Sequence, residues 1–393
     1  MLQSWEGSLA QIACFTTNPA LHSLLRAEWT KRSRMVYSLC MAFLRPQTPA
    51  AKCLHLVRLG QLTTRAELIE ATGLSQPTIT RAIAALSQAG YVTERFDLAK
   101  TRGRGRPTVP LELAEPEAVH AGISIGTDST YIALFDLKGR TLRCVDAELP
   151  VAKLDQDDFI QHIMAELNKL TATIHRPLAT VGVTASGTVT IDGHVTAPNL
   201  NWQNVALGDQ LREQFSVPVQ VSSVSAAIVG SEMQSSRDLS NPSVLALFAD
   251  DSLACAITTD AGVNNINVER DDLTTFGLLS TINKPEIRTL RQAVTDSKYQ
   301  TVTRPALDKR ARNLGQLVGE LCTEHNPSTV VIAGSAFIDD PLSPAPFAQA
   351  VRATGDHAKI DLRMLPGHRE MVRDIARAVA LDLVLTDPLS RSA

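Results

Sequence analysis

The first regular pattern of apolar and polar residues lies between residues 50 and 73. Apolar positions at helical spacing predict a helix over residues 50–59. Thr64 and Glu67 then show the spacing of a capping box, in which the hydroxyl and the carboxylate each accept a hydrogen bond from a free backbone amide. Gly73 follows at a position suited to a left-handed helix end. The pattern therefore predicts a second helix directly after the first.

A third helix is predicted after Ser75, whose hydroxyl can cap the first turn. Pro77 is tolerated in that turn because its missing amide would have no helical partner. The apolar residues recur at spacings of four and three and form one buried stripe, made of Ile79, Ile83 and Leu86. The exposed face then carries Gln76, Thr78, Thr80 and Arg81. Residues 64–89 are thus predicted to form a helix–turn–helix.

Beyond Gly90 the periodicity changes from that of a helix to that of a strand. Residues 91–95 alternate with period two, and residues 108–113 form a second extended run. The loop between them alternates arginine with glycine and ends at Pro107; its arginines are Arg102, Arg104 and Arg106. The sequence therefore predicts three helices followed by a β-hairpin with a cationic tip.

From residue 120 onward, strand-like and helix-like stretches alternate, as is typical of an α/β fold. A hairpin is predicted to open this part, with strands at 121–126 and 131–135. Buried strands are predicted at 181–183, 219–221, 244–248 and 330–332, and helices at 159–170, 307–321 and 371–384. Asp155, Asp157 and Asp158 precede the first of these helices and are interpreted as capping residues.

The charge is distributed unevenly along the chain, which has 393 residues and a net charge of −3. Residues 50–110 contain nine Lys or Arg and four Asp or Glu, a balance of +5. Residues 111–393 contain 24 basic and 35 acidic residues, a balance of −11. A basic module ahead of an acidic body is expected when only the module approaches a polyanion. The length indicates two or three folding units.

Composition excludes several classes of protein and site. No run of roughly 18 apolar residues is present and the N-terminus lacks a signal pattern, so we expect a cytoplasmic protein without membrane contact. The cysteines show no Cys-x-x-Cys pair and are expected to be reduced; they are Cys14, Cys40, Cys53, Cys144, Cys255 and Cys322. The histidines are dispersed without metal spacing. We therefore predict no metal and no cofactor.

Residues 1–47 show no sustained period and are treated as an N-terminal extension of unknown role. Three interpretations stay open for them: a poorly ordered arm, an extra helix against the next domain, or residues upstream of a native start at Met35 or Met41. The basic cluster at residues 31–34 could contact phosphate, although such runs are commonly solvated.

The helix–turn–helix is the segment most informative about function. Short polar and cationic side chains on the first turns of its second helix can reach base edges in a DNA major groove. The candidate DNA-binding residues are Ser75, Gln76, Thr78, Thr80 and Arg81. The competing interpretation is a plain helical bundle.

The arginine loop strengthens the DNA-binding interpretation. Arg102, Arg104 and Arg106 lie in an extended segment of low bulk, suited to placing guanidinium groups in a narrow minor groove. A solvated wing tip or a linker is the alternative. Directly downstream of a helix–turn–helix, however, the loop is typical of a DNA-binding wing.

The chain resembles repressors of the ROK family, which groups repressors, open reading frames and sugar kinases. The similar segments are 48–52, 74–78, 104–107, 182–189, 197–202 and 218–221. The resemblance implies a winged helix–turn–helix at 48–113 and, at 114–393, an α/β body with a two-lobed, actin-like ATPase/sugar-kinase (ribonuclease H-like) fold. Its lobes would be 118–235 with the C-terminal helix, and 236–370. It also implies a homodimer or homotetramer.

Departures from the family pattern concern the catalytic positions. The first phosphate loop of the family would fall on residues 124–128, where Gly126 is kept and Ser124 replaces the metal-orienting carboxylate. The family's Glu-Asn-Asp segment, whose Asp removes the sugar hydroxyl proton, would fall on residues 222–224. Ser223 lies within it, and Val224 offers no proton acceptor. The resemblance therefore implies a kinase-like body without a general base.

Two further motifs of the family are incomplete. The zinc and sugar motif should lie between residues 255 and 290, where the sequence has no histidine and a single cysteine, Cys255. The adenosine loop keeps one glycine of a pair, at Gly334. Because several independent catalytic motifs of the family are incomplete at once, the sequence favours a pseudo-kinase body. Asn199, Asn201 and Trp202 either line an interlobe cleft or form a turn with a buried aromatic ring.

Together these features predict a sequence-specific transcriptional regulator, with repression the favoured mode, that binds a palindromic duplex operator as a homo-oligomer. Its body would serve oligomerisation and effector sensing, with the effector, a small molecule or a protein, left open. Two alternatives remain: a ROK-type sugar kinase and a sequence-tolerant architectural DNA-binding protein.

Overall fold

The structure is a computed structural model that describes residues 42–60, 63–99, 108–115, 118–240, 242–298, 303–355 and 359–390. Residues 1–41 and the arginine loop, with Arg102, Arg104 and Arg106, lie outside the described residues. No helix among the described residues is long and apolar enough to cross a membrane.

The three N-terminal helices predicted from the sequence are confirmed. They are α1 (Pro49–Leu59), α2 (Arg65–Thr72) and α3 (Gln76–Gln88). The capping box of Thr64 and Glu67 is formed, and Gly73 ends α2 with a φ of 66°. Ser75 caps α3, whose Ile79 is fully buried. Local capping chemistry therefore determines where these helices begin and end.

The hairpin that follows is also confirmed, in shorter form. Strand β1 (Val92–Glu94) pairs antiparallel with β2 (Leu111–Leu113). Strand β2 begins at Leu111, later than the run predicted from residue 108, because Pro110 has no amide to donate to a strand partner. Its carbonyl instead accepts a hydrogen bond from the Arg95 amide, at 2.8 Å. Thr63 bridges to Leu111 on the other side.

The first lobe is built on a sheet with strand order β10-β6-β3-β4-β5. Its strands are β3 (Val119–Ile125), β4 (Thr130–Phe135), β5 (Thr141–Ala147), β6 (Leu178–Ala185) and β10 (Val219–Ser223). Strands β3, β6 and β10 run parallel, and the predicted opening hairpin is β3–β4. The outer face is covered by α4 (Gln156–Ala172) and α5 (Leu207–Phe215). A small sheet contains β7 (Thr188–Val189), β8 (Val195–Ala197) and β9 (Trp202–Val205).

The second lobe has a sheet with strand order β13-β12-β11-β14-β15. Its strands are β11 (Val244–Ala249), β12 (Leu253–Thr258), β13 (Val263–Ile266), β14 (Thr329–Ala333) and β15 (Asp361–Met364). Its helices are α7 (Thr275–Ile282), α8 (Leu290–Asp296), α9 (Thr303–His325), α10 (Ser335–Ile338) and α11 (Pro344–Ala353). Helices α9 and α11 pack on the outer face of this sheet.

Two helices lie between the sheets, α6 (Val224–Ser235) and α12 (His368–Thr386). Helix α12 approaches the first sheet closely at Gly122 and Gly182, which are register partners on β3 and β6. A Cβ at Gly122 would lie 2.2 Å from the Ala376 carbonyl oxygen, and one at Gly182 would lie 2.2 Å from that of Val379. The two glycines thus form a groove that admits the helix backbone.

The N-terminal helices share a hydrophobic core with the end of α12. Leu54 of α1 and Ile83 of α3 belong to the same buried cluster as Leu381, Val384 and Leu385. The helix–turn–helix segment is therefore packed on the body through α12.

Residues 42–47, assigned from the sequence to an extension of unknown role, pack against the body. Phe43 is 2 % exposed, with its ring against Gly230 of α6. Its amide donates to Asp382 Oδ2 at 2.8 Å. Arg45 donates through its amide to the Ala261 carbonyl and through Nε to the Thr259 carbonyl, at 3.1 and 2.6 Å. We call residues 42–46 the strap, because they join both lobes to α1.

Replacing Gly182 with alanine tests the groove. The added methyl group has no free space, so the free energy of unfolding should fall by about 1–3 kcal/mol or more. Urea unfolding of Gly182→Ala against wild type measures this loss. Gly367→Ala is the control, since its Cβ would meet no atom closer than 3.4 Å. Equal stability of the two variants would contradict the packing described for α12.

Candidate nucleic-acid interface and interlobe edge

Helix α3 presents a polar face to solvent, as the sequence predicted. Gln76, Thr80 and Arg81 are exposed and Thr78 is half-buried. Ser75 Oγ lies 2.9 Å from Thr78 Oγ1 and accepts from the Thr78 amide. Thr80 donates to the Gln76 carbonyl, and Arg81 Nε to the Pro77 carbonyl, at 2.9 and 3.4 Å. Among the described residues, these groups form hydrogen bonds only within α3 and its cap, which leaves the surface available to a partner.

The base of the hairpin is held by ion pairs. Arg95 forms two hydrogen bonds to Asp97, at 2.8 and 2.6 Å, and a third to Glu112. Arg65 of α2 pairs with Glu94 of β1 at 2.6 Å. Because these arginines are already matched by carboxylates, the excess positive charge of the hairpin comes from the loop that contains Arg102, Arg104 and Arg106.

The carboxyl ends of the parallel strands in the first sheet carry hydroxyl groups. Ser124, Thr184 and Ser222 are register partners across β3, β6 and β10. Ser124 is 5 % exposed. Gly126 forms a turn, with its amide donating to the Ser129 carbonyl at 2.9 Å. Ligands of open α/β sheets bind at such edges. The side chains at these three register positions offer hydroxyls and no carboxylate.

Ser223 and Val224 start helix α6. The Ser223 hydroxyl accepts from the Ala226 amide at 3.2 Å and donates to Asn265 Oδ1 at 2.6 Å. Val224 is 5 % exposed and belongs to the core between the lobes. A serine that caps the helix and an apolar neighbour can hold the helix end, but they cannot accept a proton from a substrate hydroxyl.

Asp250 is a half-buried carboxyl at the equivalent edge of the second sheet, and it was not predicted as a site residue from the sequence. Its Oδ1 accepts from Ser335 Oγ at 2.6 Å and from the Asp251 amide at 3.0 Å. Burial raises the pKa of Asp250, and the Ser335 hydrogen bond partly opposes that rise. The signal in the sequence was an acidic residue directly after the apolar run of β11.

Asn199, Asn201 and Trp202 form a turn with a buried aromatic ring, one of the two arrangements expected. Trp202 is 2 % exposed and its ring centroid lies 5.5 Å from that of Phe159. Asn201 has a φ of 58°. Asn199 donates to Ser186 Oγ at 3.0 Å, beside the edge of the first sheet. The asparagines therefore shape the turn and contribute one amide to the edge.

Within the part of the chain that the structure describes, no group of three His, Cys, Asp or Glu side chains could hold a metal ion. Cys53, Cys255 and Cys322 are buried free thiols and Cys144 is exposed. Burial raises the pKa of Cys53 to about 11. Asp155 caps α4 by accepting from the Asp157 amide, as predicted.

Helix α1 meets the carboxyl end of α6 through two polar side chains. His55 Nε2 donates to the Ser236 carbonyl at 2.7 Å, and Arg58 donates to the Gln234 carbonyl. Burial lowers the pKa of His55 to about 4 and that of Arg58 to about 10. These contacts are not predicted from the sequence, because the partners lie 181 and 176 positions away along the chain.

A family model described as ROK family matches residues 120–247. Two relatives are transcriptional regulator Mb0495 of Mycobacterium bovis and transcriptional regulator Rv0485 of Mycobacterium tuberculosis. Each is 29% identical to the chain in an alignment of 380 residues that covers 86% of this chain and 86% of the relative. The xylose repressor of Bacillus subtilis is 26% identical over 162 residues, or 40% of this chain and 41% of the repressor.

Two solved structures share the fold. A ROK family transcriptional regulator, a homologue of the E. coli MLC protein, matches with a TM-score of 0.69 and 17% identity over 87% of this chain and 98% of its own. A ROK family glucokinase from Streptomyces griseus matches with a TM-score of 0.51 and 16% identity, over 67% of this chain and 99% of its own. The α/β fold of ROK regulators and sugar kinases predicted from the sequence is confirmed.

The depressed pKa of His55 predicts a loss of stability in acid. The folded protein holds the imidazole neutral down to about pH 4, whereas the unfolded chain takes up a proton near pH 6.5. The contribution of the neutral His55 side chain to the free energy of unfolding is complete above pH 6.5 and falls as the pH drops towards 4. The free energy of unfolding should decrease by about 2 kcal/mol between pH 8 and pH 5.

Urea unfolding at both pH values measures this decrease, with His55→Gln as the control. Glutamine can keep the hydrogen bond to Ser236 but does not titrate. The variant should lose about 2 kcal/mol less than wild type over the same interval. Identical pH profiles for the two proteins would contradict a buried, neutral His55.

Proposed function

We propose that the chain is a transcriptional regulator of the ROK family, whose model matches residues 120–247, and that it binds duplex DNA through residues 48–113. The observation that carries the proposal is the exposed face of α3, whose polar side chains make no ion pair with the described residues. This face belongs to a chain that aligns over 86% of its length with proteins named transcriptional regulators. The proposal places the protein in the cytoplasm.

In this proposal α3 enters the major groove. Gln76, Thr80 and Arg81 would contact base edges, while Ser75 and Thr78 would contact phosphates or bases near the helix N-terminus. The amide groups of a helix N-terminus favour an anion, which supports phosphate contact at Ser75. Bidentate contacts from arginine or glutamine to a purine discriminate against other bases. Sequence preference would therefore depend most on Gln76 and Arg81.

The arginine loop would bind the adjacent minor groove. The ion pairs of Arg95 and Arg65 support this role, because they fix the two strands that the loop connects. Arg102, Arg104 and Arg106 would then supply the phosphate-neutralising charge. A homodimer or homotetramer would place two such modules on a palindromic operator, with half-sites about 34–36 Å apart or at a multiple of that distance.

We further infer that the body does not phosphorylate sugars and instead serves oligomerisation and effector sensing. Support comes from Ser124, Ser223 and Val224, which provide neither a metal-orienting carboxylate nor a general base. A sugar kinase has the same fold, so the fold alone does not decide whether this chain phosphorylates a sugar. Formation of hexose phosphate from ATP and a hexose by the purified protein would contradict this inference.

Sequence preference distinguishes a regulator from an architectural DNA-binding protein. Fragments selected from genomic DNA should bind about 1,000-fold or more tightly than random duplexes in a competition assay. Arg81→Ala should weaken binding to the selected site by about 1–3 kcal/mol and relax its base preference. The control is Arg176→Ala, an exposed arginine on the body. Equal affinity of the wild type for selected and random DNA would identify a sequence-tolerant binder.

The triple change of Arg102, Arg104 and Arg106 to alanine tests the loop. Losing three phosphate contacts should flatten the dependence of log affinity on log salt by about 2–3 units, since each neutralised phosphate releases counterions. Fluorescence anisotropy across a salt series measures the slope. The matched control removes three exposed body arginines, Arg143, Arg176 and Arg288. An unchanged slope in the loop variant would remove the loop from the interface.

A further inference from the structure

A cavity of about 200 Å³ lies where the helix–turn–helix segment meets the body. Its walls are the strap, His55 of α1, the carboxyl end of α6 and the end of α12. The positions that correspond to kinase catalysis, Ser124, Gly126, Ser223 and Val224, do not line it. The cavity is therefore separate from the edges of the two sheets.

One part of the cavity wall is apolar. The side chains that form it come from the strap, α6, β11 and α12 and from the segment before β11; among them are Phe43, Pro46, Met233, Leu239, Val244 and Leu385. Such a surface favours a ligand with a short hydrocarbon body, because burial of apolar area is the main source of affinity in small sites.

The polar part of the wall is rich in hydrogen-bond acceptors. Three carboxylates line the cavity, from Glu232, Asp238 and Asp382. The two lining arginines are already engaged with the protein: Arg45 donates to the Thr259 carbonyl, and Arg363 pairs with Glu232 and Asp361. The carboxyl end of α6 adds the negative end of a helix dipole, where the Arg58 guanidinium already donates to the Gln234 carbonyl.

His55 adds a buried acceptor. The side chain lines the cavity and the residue is 4 % exposed. Because its Nε2 donates to the Ser236 carbonyl, Nδ1 is the unprotonated nitrogen of the neutral ring. The hydrogen bond from Nε2 is the only one that the ring makes to the described residues. Nδ1 can therefore accept a hydrogen bond from a ligand.

We propose that this cavity is the binding site of a small amine, with a primary ammonium group at the acceptors and a short aliphatic body against the apolar wall. The carboxylates of Asp238 and Asp382 support this assignment, because negative charge in the wall favours a cationic head group. Neither a neutral alcohol nor a carboxylate of the same size offers that charge.

Occupancy of the cavity would affect the helix–turn–helix segment, a consequence that rests on the proposed function. The ligand would contact His55 within α1 and the strap, which leads through residue 47 to the N-cap of α1 at Thr48. A ligand shifts an equilibrium only through different affinities for its states. An amine that fits this arrangement of α1 would therefore favour one orientation of α3 and change affinity for operator DNA.

Isothermal titration calorimetry with butylamine, 1-butanol and butyrate tests the site. The three probes share a hydrocarbon chain and differ in head group. Butylamine should bind with a dissociation constant on the order of 1 mM and at least about tenfold more tightly than the others, a value plausible for so few atoms. Failure of butylamine to bind, or equal or tighter binding of butanol or butyrate, would overturn the proposal.

Thr386→Leu fills the cavity from α12 and should weaken butylamine binding about tenfold or more. The control is Thr295→Leu, the same chemical change on an exposed position of α8, and it should leave binding unchanged. Thr329→Ile fills the cavity from β14 and serves if Thr386→Leu does not fold. Binding that survives both fillings would place the amine elsewhere and overturn the proposal.

Operator affinity is measured separately, by anisotropy with and without saturating butylamine. A change of about threefold or more in wild type, absent in Thr386→Leu, is expected if the site is coupled to DNA binding. Calorimetric binding without any such change would overturn the coupling while leaving the site intact. Absence of operator binding in the untreated wild type would instead count against the proposed function, and the calorimetric result would still decide the site.

Discussion

The close packing of α12 on the first sheet is the contact on which the rest of the structure depends. Gly122 and Gly182 lie side by side on neighbouring strands, so the helix backbone reaches the sheet at van der Waals distance. The opposite face of the same helix packs on α6, and its last turns complete the core of the helix–turn–helix segment. One helix therefore determines the relative positions of both sheets and the N-terminal module.

The contact between module and body combines an apolar patch with a few directional hydrogen bonds. Leu381 and Leu385 supply hydrophobic area, whereas His55 and Arg58 donate to the last carbonyls of α6 and its cap. Buried polar groups of this kind are costly when unpaired, so they favour one orientation over others. An arrangement with a preferred orientation and a cavity beside it has the elements needed for control by a ligand.

The sequence predicted best what is decided locally. Thr64, Glu67, Gly73 and Ser75 act within a few residues of themselves, so the helices of the N-terminal module could be placed from spacing alone. The strands of the body followed from apolar runs, and the family resemblance supplied their arrangement. The positions that the resemblance assigns to kinase chemistry stay a prediction, and the structure adds that the Ser223 hydroxyl donates to Asn265 Oδ1.

What escaped prediction depends on contacts between distant parts of the chain. Phe43 shows no periodic signal, yet it is buried because Gly230 leaves room for its ring and Asp382 accepts its amide hydrogen. Asp250 follows the apolar run of β11 without a local motif, and its hydrogen-bond partner Ser335 lies 85 positions away. Such partners, separated by 85 to 339 positions, are set by the fold and not by local propensity.

The shared core of α1, α3 and α12 has a consequence for biosynthesis. Leu54 and Ile83 are made early by the ribosome, whereas Leu381, Val384 and Leu385 emerge some 300 residues later. N-terminal domains of many proteins complete folding while the remainder is still being translated. Here the N-terminal module completes its core only after α12 has left the ribosomal exit tunnel. A nascent chain stalled before α12 would therefore carry an incompletely packed module.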